Sequence, residues 1–357
     1  MAKSAKASFR DSVVQYEQIT REVGAKKFAP LYLLMGEEAY FIDRLGDLLA
    51  DSILDETRRA FNQIVVYGSD IGAADVANHA RQVPMMGGRQ VIIVKEAQKL
   101  AKIDQLTAYA RQPVASTVLV LCHKEKTLDK RSALYKALDA NGVVLESVPP
   151  HDYEIGNWLN DFIRSKGFEM DTKASAMLTD HLGVDIPKIA NELDKLVVSL
   201  PEGTRRVTAD HIEQHIGISK EFNNFELTKA LSERNFAKAM TIADHFARNP
   251  RENPLVVTVS TLFSHFQRIF IYNYHRWMAQ KGKTPMPDDM TLARQMKLPT
   301  TFFLNEYKQA ATLYPNAKVF KILGLIRECD MKSKGMGGGS ADNGELLRDL
   351  LLKIILL

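Results

Sequence analysis

Between residues 30 and 150, short apolar runs alternate with amphipathic stretches, and this alternation constrains the chain more than any other feature. PLYLLM (30–35), FNQIVVYG (61–68), RQVIIVKEA (89–97), STVLVLCHK (116–124) and GVVLES (142–147) have the length and β-branched content of buried strands. Residues 38–54, 72–82 and 128–140 separate them with helical periodicity, as in Ile42, Leu45, Leu48 and Leu49 on one face. Strands that are apolar throughout and joined by helices build a parallel sheet covered on both sides.

Pro149-Pro150 ends the alternation, and helical patterns follow to the end of the chain. Ile155, Trp158, Leu159, Phe162 and Ile163 share a face. Asp171 stands where it can cap a helix carrying Ala174, Met177 and Leu178. Ile186, Ile189, Leu193, Leu196 and Val197 mark a third helix, and Thr208, Ile212 and Ile216 a short fourth. The spacing predicts a helical bundle over 150–217 and longer helices over 218–357, the longest from about 254 to 281. KGMGGGSADNG (334–344) leads into a last helix whose Glu345, Arg348, Asp349 and Lys353 form one polar stripe. That final apolar run is too short to span a bilayer, so it reads as a core helix.

Few functional classes survive the composition. The two cysteines, Cys122 and Cys329, have no metal-ligand spacing and imply no disulfide framework, which fits a reducing, cytoplasmic setting. The N-terminus lacks the apolar segment of a secretory signal. His211 and His215 are four apart without a third ligand nearby, so no metal is expected. No nucleophile motif is present. Lys124, Lys126, Lys130 and Arg131 allow a phosphate-binding patch, but Glu125 and Asp129 interleave as in a solvated charge run. Arg205-Arg206 reads as a turn, and Trp158 and Trp277 as core residues.

The strand ending at Gly36 and the helix after it occupy the place of a phosphate-binding loop. A working loop reads Gly-x-x-x-x-Gly-Lys-Ser/Thr; its amides cradle phosphate, its lysine neutralises charge and its hydroxyl holds magnesium. Here the eight positions are Gly36, Glu37, Glu38, Ala39, Tyr40, Phe41, Ile42 and Asp43. Only the first glycine remains. Ile42 replaces the lysine, Asp43 the hydroxyl, and Glu37 and Glu38 bring negative charge to a site built for anions. The apolar run VIIV (91–94) ends in Lys95-Glu96, where a magnesium-binding strand would carry an aspartate. No nucleotide and no other cofactor is expected. By spacing alone, an α/β domain that never bound nucleotide reads the same way.

These stretches, with PMMGGRQVIIVKEA (84–97), LDKRSALYKALDANGVVLE (128–146), VPPHDYEIGNWLNDFIRSKG (148–167), VTADHIEQHIG (207–217), RECDMKSKG (327–335) and GELLRDLLLKIIL (344–356), resemble the delta-subunit family of bacterial DNA polymerase III. The resemblance implies an α/β AAA+-like parallel-sheet domain at 1–149, followed by an all-α lid at 150–217 and an all-α collar at 218–357. It implies a clamp-loader subunit, a non-catalytic component of a nucleotidyltransferase holoenzyme, that binds and opens the sliding clamp (beta). Its further partners would be the ATPase subunits and a delta-prime subunit in a hetero-oligomer, with primed DNA in the assembly and no membrane.

In that family an apolar pair between a helix and the next strand holds the clamp. The matching positions here are Met85 and Met86, where the family more often has Leu- and Phe-like residues. Pro84 stops the helix before them and Gly87-Gly88 frees the backbone after them. Methionine adapts to an apolar pocket. Arg89 and Gln90 follow as candidates for the rim of that contact. The bland reading, in which both methionines fill core, stands beside it. Two other functions stand beside the clamp-loader reading: an active AAA+ ATPase with an atypical phosphate loop, and a stand-alone nucleic-acid-binding protein, which would need a concentrated basic face.

Overall fold

The computed structural model describes residues 7–85, 87–298, 301–336 and 342–357. The chain forms two compact units, Met1–Pro150 and His151–Leu357.

The first unit runs α1 (Phe9–Gly24), β1 (Leu31–Gly36), α2 (Ala39–Ser52), α3 (Glu56–Asn62), β2 (Gln63–Tyr67), α4 (Ala73–Arg81), β3 (Gln90–Lys95), α5 (Thr107–Arg111), β4 (Thr117–Lys124), α6 (Ala133–Asn141) and β5 (Val143–Ser147). The strands form one sheet in the order β2-β3-β4-β1-β5, and every pairing is parallel. All six residues of β1 are buried. Leu31, Leu33 and Met35 join one core with Ala77, Tyr109, Leu134 and Leu138 of the helices on that side. Tyr32 and Leu34 point to the other side, where α2 lies on β1 and β4 with Ile42, Leu45 and Leu49 fully buried. The strand pattern thus produces a sheet with no solvated face at its centre.

Neither α1 nor α3 was apparent in the sequence. α1 begins with a capping box: the Ser8 hydroxyl accepts from the Asp11 amide while the Asp11 carboxylate takes the Ser8 amide. Its buried Ser12 donates to the Glu146 carbonyl (2.7 Å) and accepts from the Val148 amide (3.0 Å), which ties α1 to β5. α3 replaces the start of the strand expected from residue 61. Asp55 caps it, and its Phe61 is 53% exposed. An exposed Phe imitates a strand residue in a one-dimensional reading.

The second unit begins with α7 (Asp152–Ser165), β6 (Glu169–Met170), α8 (Thr172–Leu182), α9 (Ile186–Ser199), β7 (Arg206–Val207) and α10 (Ala209–Ile216). Ile155, Leu159, Met177, Ile189, Leu193 and Ile212 are fully buried among these helices. β6 and β7 pair in parallel over two residues. Arg206, expected in a turn, sits in that ladder and bonds Glu169 at 2.6 Å. Asp171 is the N-cap of α8, as its place in the sequence suggests.

The remaining helices are α11 (Asn224–Ser232), α12 (Phe236–Arg248), α13 (Leu255–Gln280), α14 (Asp289–Gln295), α15 (Leu304–Leu313), α16 (Asn316–Ser333) and α17 (Asn343–Leu356). They share one core, to which α17 contributes Leu346, Leu347, Leu350, Leu351 and Ile354. By length and composition alone, α13 is apolar enough to cross a membrane, yet it buries Leu262, Phe266 and Ile269 in this core. Trp158 is buried, but Trp277 is 46% exposed, so the core reading of Trp277 is corrected. It lies in the last turn of α13, beyond Asn273, the last buried residue of that helix.

Candidate protein-interaction site

The loop from α4 to β3 is a built tip. α4 ends at Arg81. The Gly87 amide donates to the Pro84 carbonyl at 3.1 Å, closing a turn that carries Met85. Gly87 and Gly88 both have positive φ, 65° and 71°, which a side-chain-bearing residue would adopt only with strain. Beneath the turn lies Asn62, 2% exposed at the end of α3. Its Nδ2 donates to the carbonyls of Gly87 and Arg89, both at 3.1 Å. One buried amide therefore holds the strand-side arm of the tip at two points.

Met85 is 82% exposed and Val83 84%, so neither is core. Met86 lies outside the described residues. The Arg89 guanidinium stands over the Phe28 ring, 5.6 Å from its centroid, and the residue is exposed. Gln90 is different. It is 5% exposed, and its Nε2 donates to the His79 carbonyl (2.8 Å) and the Thr117 hydroxyl (3.0 Å). This corrects the expectation of a rim contact: Gln90 is the first residue of β3, and its side chain braces the end of α4 from inside. Sequence reasoning missed Asn62, Val83 and Phe61. An Asn three residues after a charged helical turn carries no signal until the fold brings residues 62 and 87 together.

The phosphate-loop position is closed by the protein itself. Only Glu37 and Glu38 separate β1 from α2, so no cradle of free amides forms. The Glu38 carboxylate accepts from the Tyr40 amide (2.8 Å) as N-cap. The Ser147 hydroxyl donates to the Glu38 carbonyl at 2.7 Å. Gly36, at φ +138°, passes so close to β5 that an added Cβ would fall 2.0 Å from the Ser147 carbonyl oxygen. Ile42 is fully buried, so the lysine position points into the core. Asp43 pairs with Lys124 at 2.6 Å, and Asp47 pairs with Lys95 at 3.1 Å. The strand-end cations that could meet a phosphate are thus held by carboxylates of α2. Two more of the basic cluster are also paired: Lys130 with Glu146 at 2.6 Å and Arg131 with Asp129 at 3.0 Å.

A cavity of about 830 Å³ opens in the second unit, with Asp180, Thr261, His265 and Glu306 among its lining residues. Burial shapes its titratable walls. Asp180 is pushed up to about 6, Glu306 is raised, and His265 is pushed down to about 3. His265 accepts or donates only through Nε2, 3.2 Å from the Ser232 hydroxyl, and its Nδ1 has no partner among the described residues. A buried neutral imidazole resists acid. Its contribution is present above the unfolded value near 6.5 and is lost as pH falls toward 3. At about 1.4 kcal/mol per pH unit, the loss reaches about 4 kcal/mol near pH 3.5. Asp180 acts in the opposite direction, losing stability as pH rises from 3.8 to about 6. Urea unfolding of wild type and His265→Phe is therefore expected to diverge with pH. The stability of wild type relative to the variant should fall by about 4 kcal/mol between pH 7 and pH 3.5. A pH-independent difference would rule out the titration of His265 as its source.

An α/β parallel-sheet unit whose phosphate-loop position is filled by its own side chains, joined in sequence to a helical unit, is the class that fold and site define. Residues 32–148 match the family described as DNA polymerase III, delta subunit. The DNA polymerase III subunit delta of Bacillus subtilis (strain 168) is 23% identical over 263 residues, covering 71% of this chain and 74% of that protein. The solved structure of the Bacillus subtilis DNA clamp loader delta protein is 20% identical with a TM-score of 0.55, covers 96% of this chain and is itself covered in full, which supports the same fold. The resemblance to the delta-subunit family is borne out.

Proposed function

We propose that this chain is a delta-type clamp-loader subunit: it binds the sliding clamp (beta) through the α4–β3 tip, opens one clamp interface and hydrolyses no ATP itself. The observation that carries the reading is the exposed Met85 on a turn held from beneath by buried Asn62. An apolar side chain presented on a preorganised loop binds at small entropic cost. Met85, Met86 and Arg89 are the proposed contacts, with Val83 beside them. In this reading the lid is 150–217 and the collar 218–357. The collar would set the chain's place beside the ATPase and delta-prime subunits, with primed DNA in the same assembly.

The alternative of an active ATPase is not favoured, because Gly36, Glu38, Ile42 and Asp43 are all committed to internal contacts. Titration of the full chain with magnesium-ATP is expected to show no saturable binding up to millimolar concentration, near the weak limit of specific affinity. Micromolar binding would overturn the non-catalytic assignment. The direct test is binding of the purified chain to the sliding clamp of its own organism without nucleotide. Specific binding supports the reading. Absence of binding, both alone and assembled with partner subunits, would remove it.

A further inference from the structure

We propose that the open edge of β2 pairs antiparallel with the same edge of a second copy of this chain, joining two five-stranded sheets into one. The inference is independent of the clamp-loader reading.

A sheet edge presents unpaired amides and carbonyls, and proteins ordinarily cover it or charge it. The two edges here, β5 and β2, differ. α1 covers β5: the Ser12 hydroxyl bonds the Glu146 carbonyl and the Val148 amide, and the Gln15 side chain accepts from the Glu146 amide at 3.3 Å. β2 has no such cover. Its sequence, QIVVY, carries neither charge nor proline and is rich in residues that favour strand pairing. α3, which leads into it, leans toward β3: Asn62 bonds the Gly87 and Arg89 carbonyls, and the Arg58 guanidinium lies 3.5 Å from where a Cβ on Gly88 would stand.

The open groups follow from the register. The Gly68 amide donates to the Lys95 carbonyl at 2.8 Å, and Tyr67 is the register partner of Lys95. Bonding direction alternates along a strand, so Ile64, Val66 and Gly68 bond β3 while Gln63, Val65 and Tyr67 turn their backbone groups outward. Two of those outward groups are already used: the Gln63 amide donates to the Arg59 carbonyl, and the Tyr67 carbonyl accepts from the Asp70 amide at 3.0 Å. Among the described residues the Gln63 carbonyl, the Val65 amide, the Val65 carbonyl and the Tyr67 amide have no partner.

That set is self-complementary. With Val65 opposite Val65, each Val65 amide meets the other Val65 carbonyl, and each Tyr67 amide meets the other Gln63 carbonyl. Every open group is satisfied. The used Gln63 amide faces the used Tyr67 carbonyl, so no orphan is created there. A strand from another source would bring an unused carbonyl and amide to those two positions and leave both unsatisfied. Side chains agree. Val65 is 46% exposed and Tyr67 48%, on the face opposite Ile64 and Val66, which pack on the core. The cross-strand pairs would be Val65 with Val65 and Tyr67 with Gln63, all neutral. Charge agrees beyond the strand ends. Exposed Asp70 takes the Ser69 hydroxyl and has no cation within 4 Å among the described residues. Antiparallel pairing brings its turn to the α3 end of the other copy, where exposed Arg58 is held only by Asp55 at 3.6 Å.

Sedimentation velocity of the full chain from about 1 μM to about 1 mM, the span of reversible association, is expected to show the 40.1 kDa monomer passing into a dimer. Hydrogen exchange in peptides covering residues 63–67 should slow over the same range. Val65→Lys and Val65→Glu each place like charges opposite one another at the centre of the pair, and each should weaken the dimer at least about tenfold. An equimolar mixture of the two should restore it, because the pairing sets Lys against Glu. Val65→Pro removes two of the four bonds and none to β3, and should weaken the dimer to a similar extent. Unchanged far-ultraviolet circular dichroism checks the fold of each variant. A monomer throughout the range, a dimer that Val65→Lys leaves at wild-type strength, or a mixture no stronger than either charged variant alone would each overturn the proposal. If wild type stays monomeric while Val65→Lys fails to assemble with loader subunits, the edge belongs to another protein instead.

Discussion

Replacing Met85 and Met86 together by alanine is expected to weaken clamp binding by about a thousandfold while leaving the chain folded. A buried methionine contributes about 1.5–3 kcal/mol, and anchors at an interface centre reach 2 kcal/mol or more each. Two of them give about 4 kcal/mol, or three orders of magnitude in Kd. Met85 is 82% exposed, so its removal takes almost nothing from the core. Truncations at such surfaces change stability by about 0.5 kcal/mol or less. Calorimetric titration with the clamp and a thermal melt, run on wild type, Met85→Ala and the double variant, separate the two effects. An unchanged Kd in the double variant would remove the tip from the interface, whatever the melt shows.

Asn62→Ala should weaken the same interaction without touching the clamp. The buried Nδ2 holds the Gly87 and Arg89 carbonyls. Its loss leaves two carbonyls without their donor, a local cost of about 1–3 kcal/mol. The tip then samples other conformations, and the clamp must order it on binding. A tenfold or larger rise in Kd is expected from that ordering cost. Tryptic cleavage after Arg89 in the free chain reads loop order directly. It should accelerate in Asn62→Ala and stay at the wild-type rate in Met85→Ala. Faster cleavage with an unchanged Kd would make Asn62 a structural residue only. Neither change would show that the loop holds its shape by Gly87 and Gly88 alone.

The misread elements have local physical causes. Phe61 imitated the start of a strand because an exposed aromatic on α3 and a buried one in a sheet look alike in sequence. Gln90 seemed available because it follows an exposed arginine. In the sheet it is the first residue of β3, and pleating turns it inward. Trp277 stands within about 20° of the fully buried Phe266 around α13, yet in the helix's last turn, beyond Asn273, the last buried residue of that helix. Apolar periodicity along a 26-residue helix does not announce how far toward its end neighbouring elements will cover it.

What sequence alone determined is the class of sheet, its helical sequel and the departure of residues 36–43 from a working phosphate loop. Apolar period and strand length depend on neighbours in the chain, and a phosphate loop without lysine, hydroxyl or second glycine is recognisable by residue type. Tertiary structure alone decided that Asn62 braces a turn 25 residues away, that Asp43 and Asp47 neutralise Lys124 and Lys95, and that Phe270 of α13 meets Phe320 of α16. Each of these joins residues distant in the chain. Their energies come from contact and charge separation in space, which periodicity along the chain does not encode.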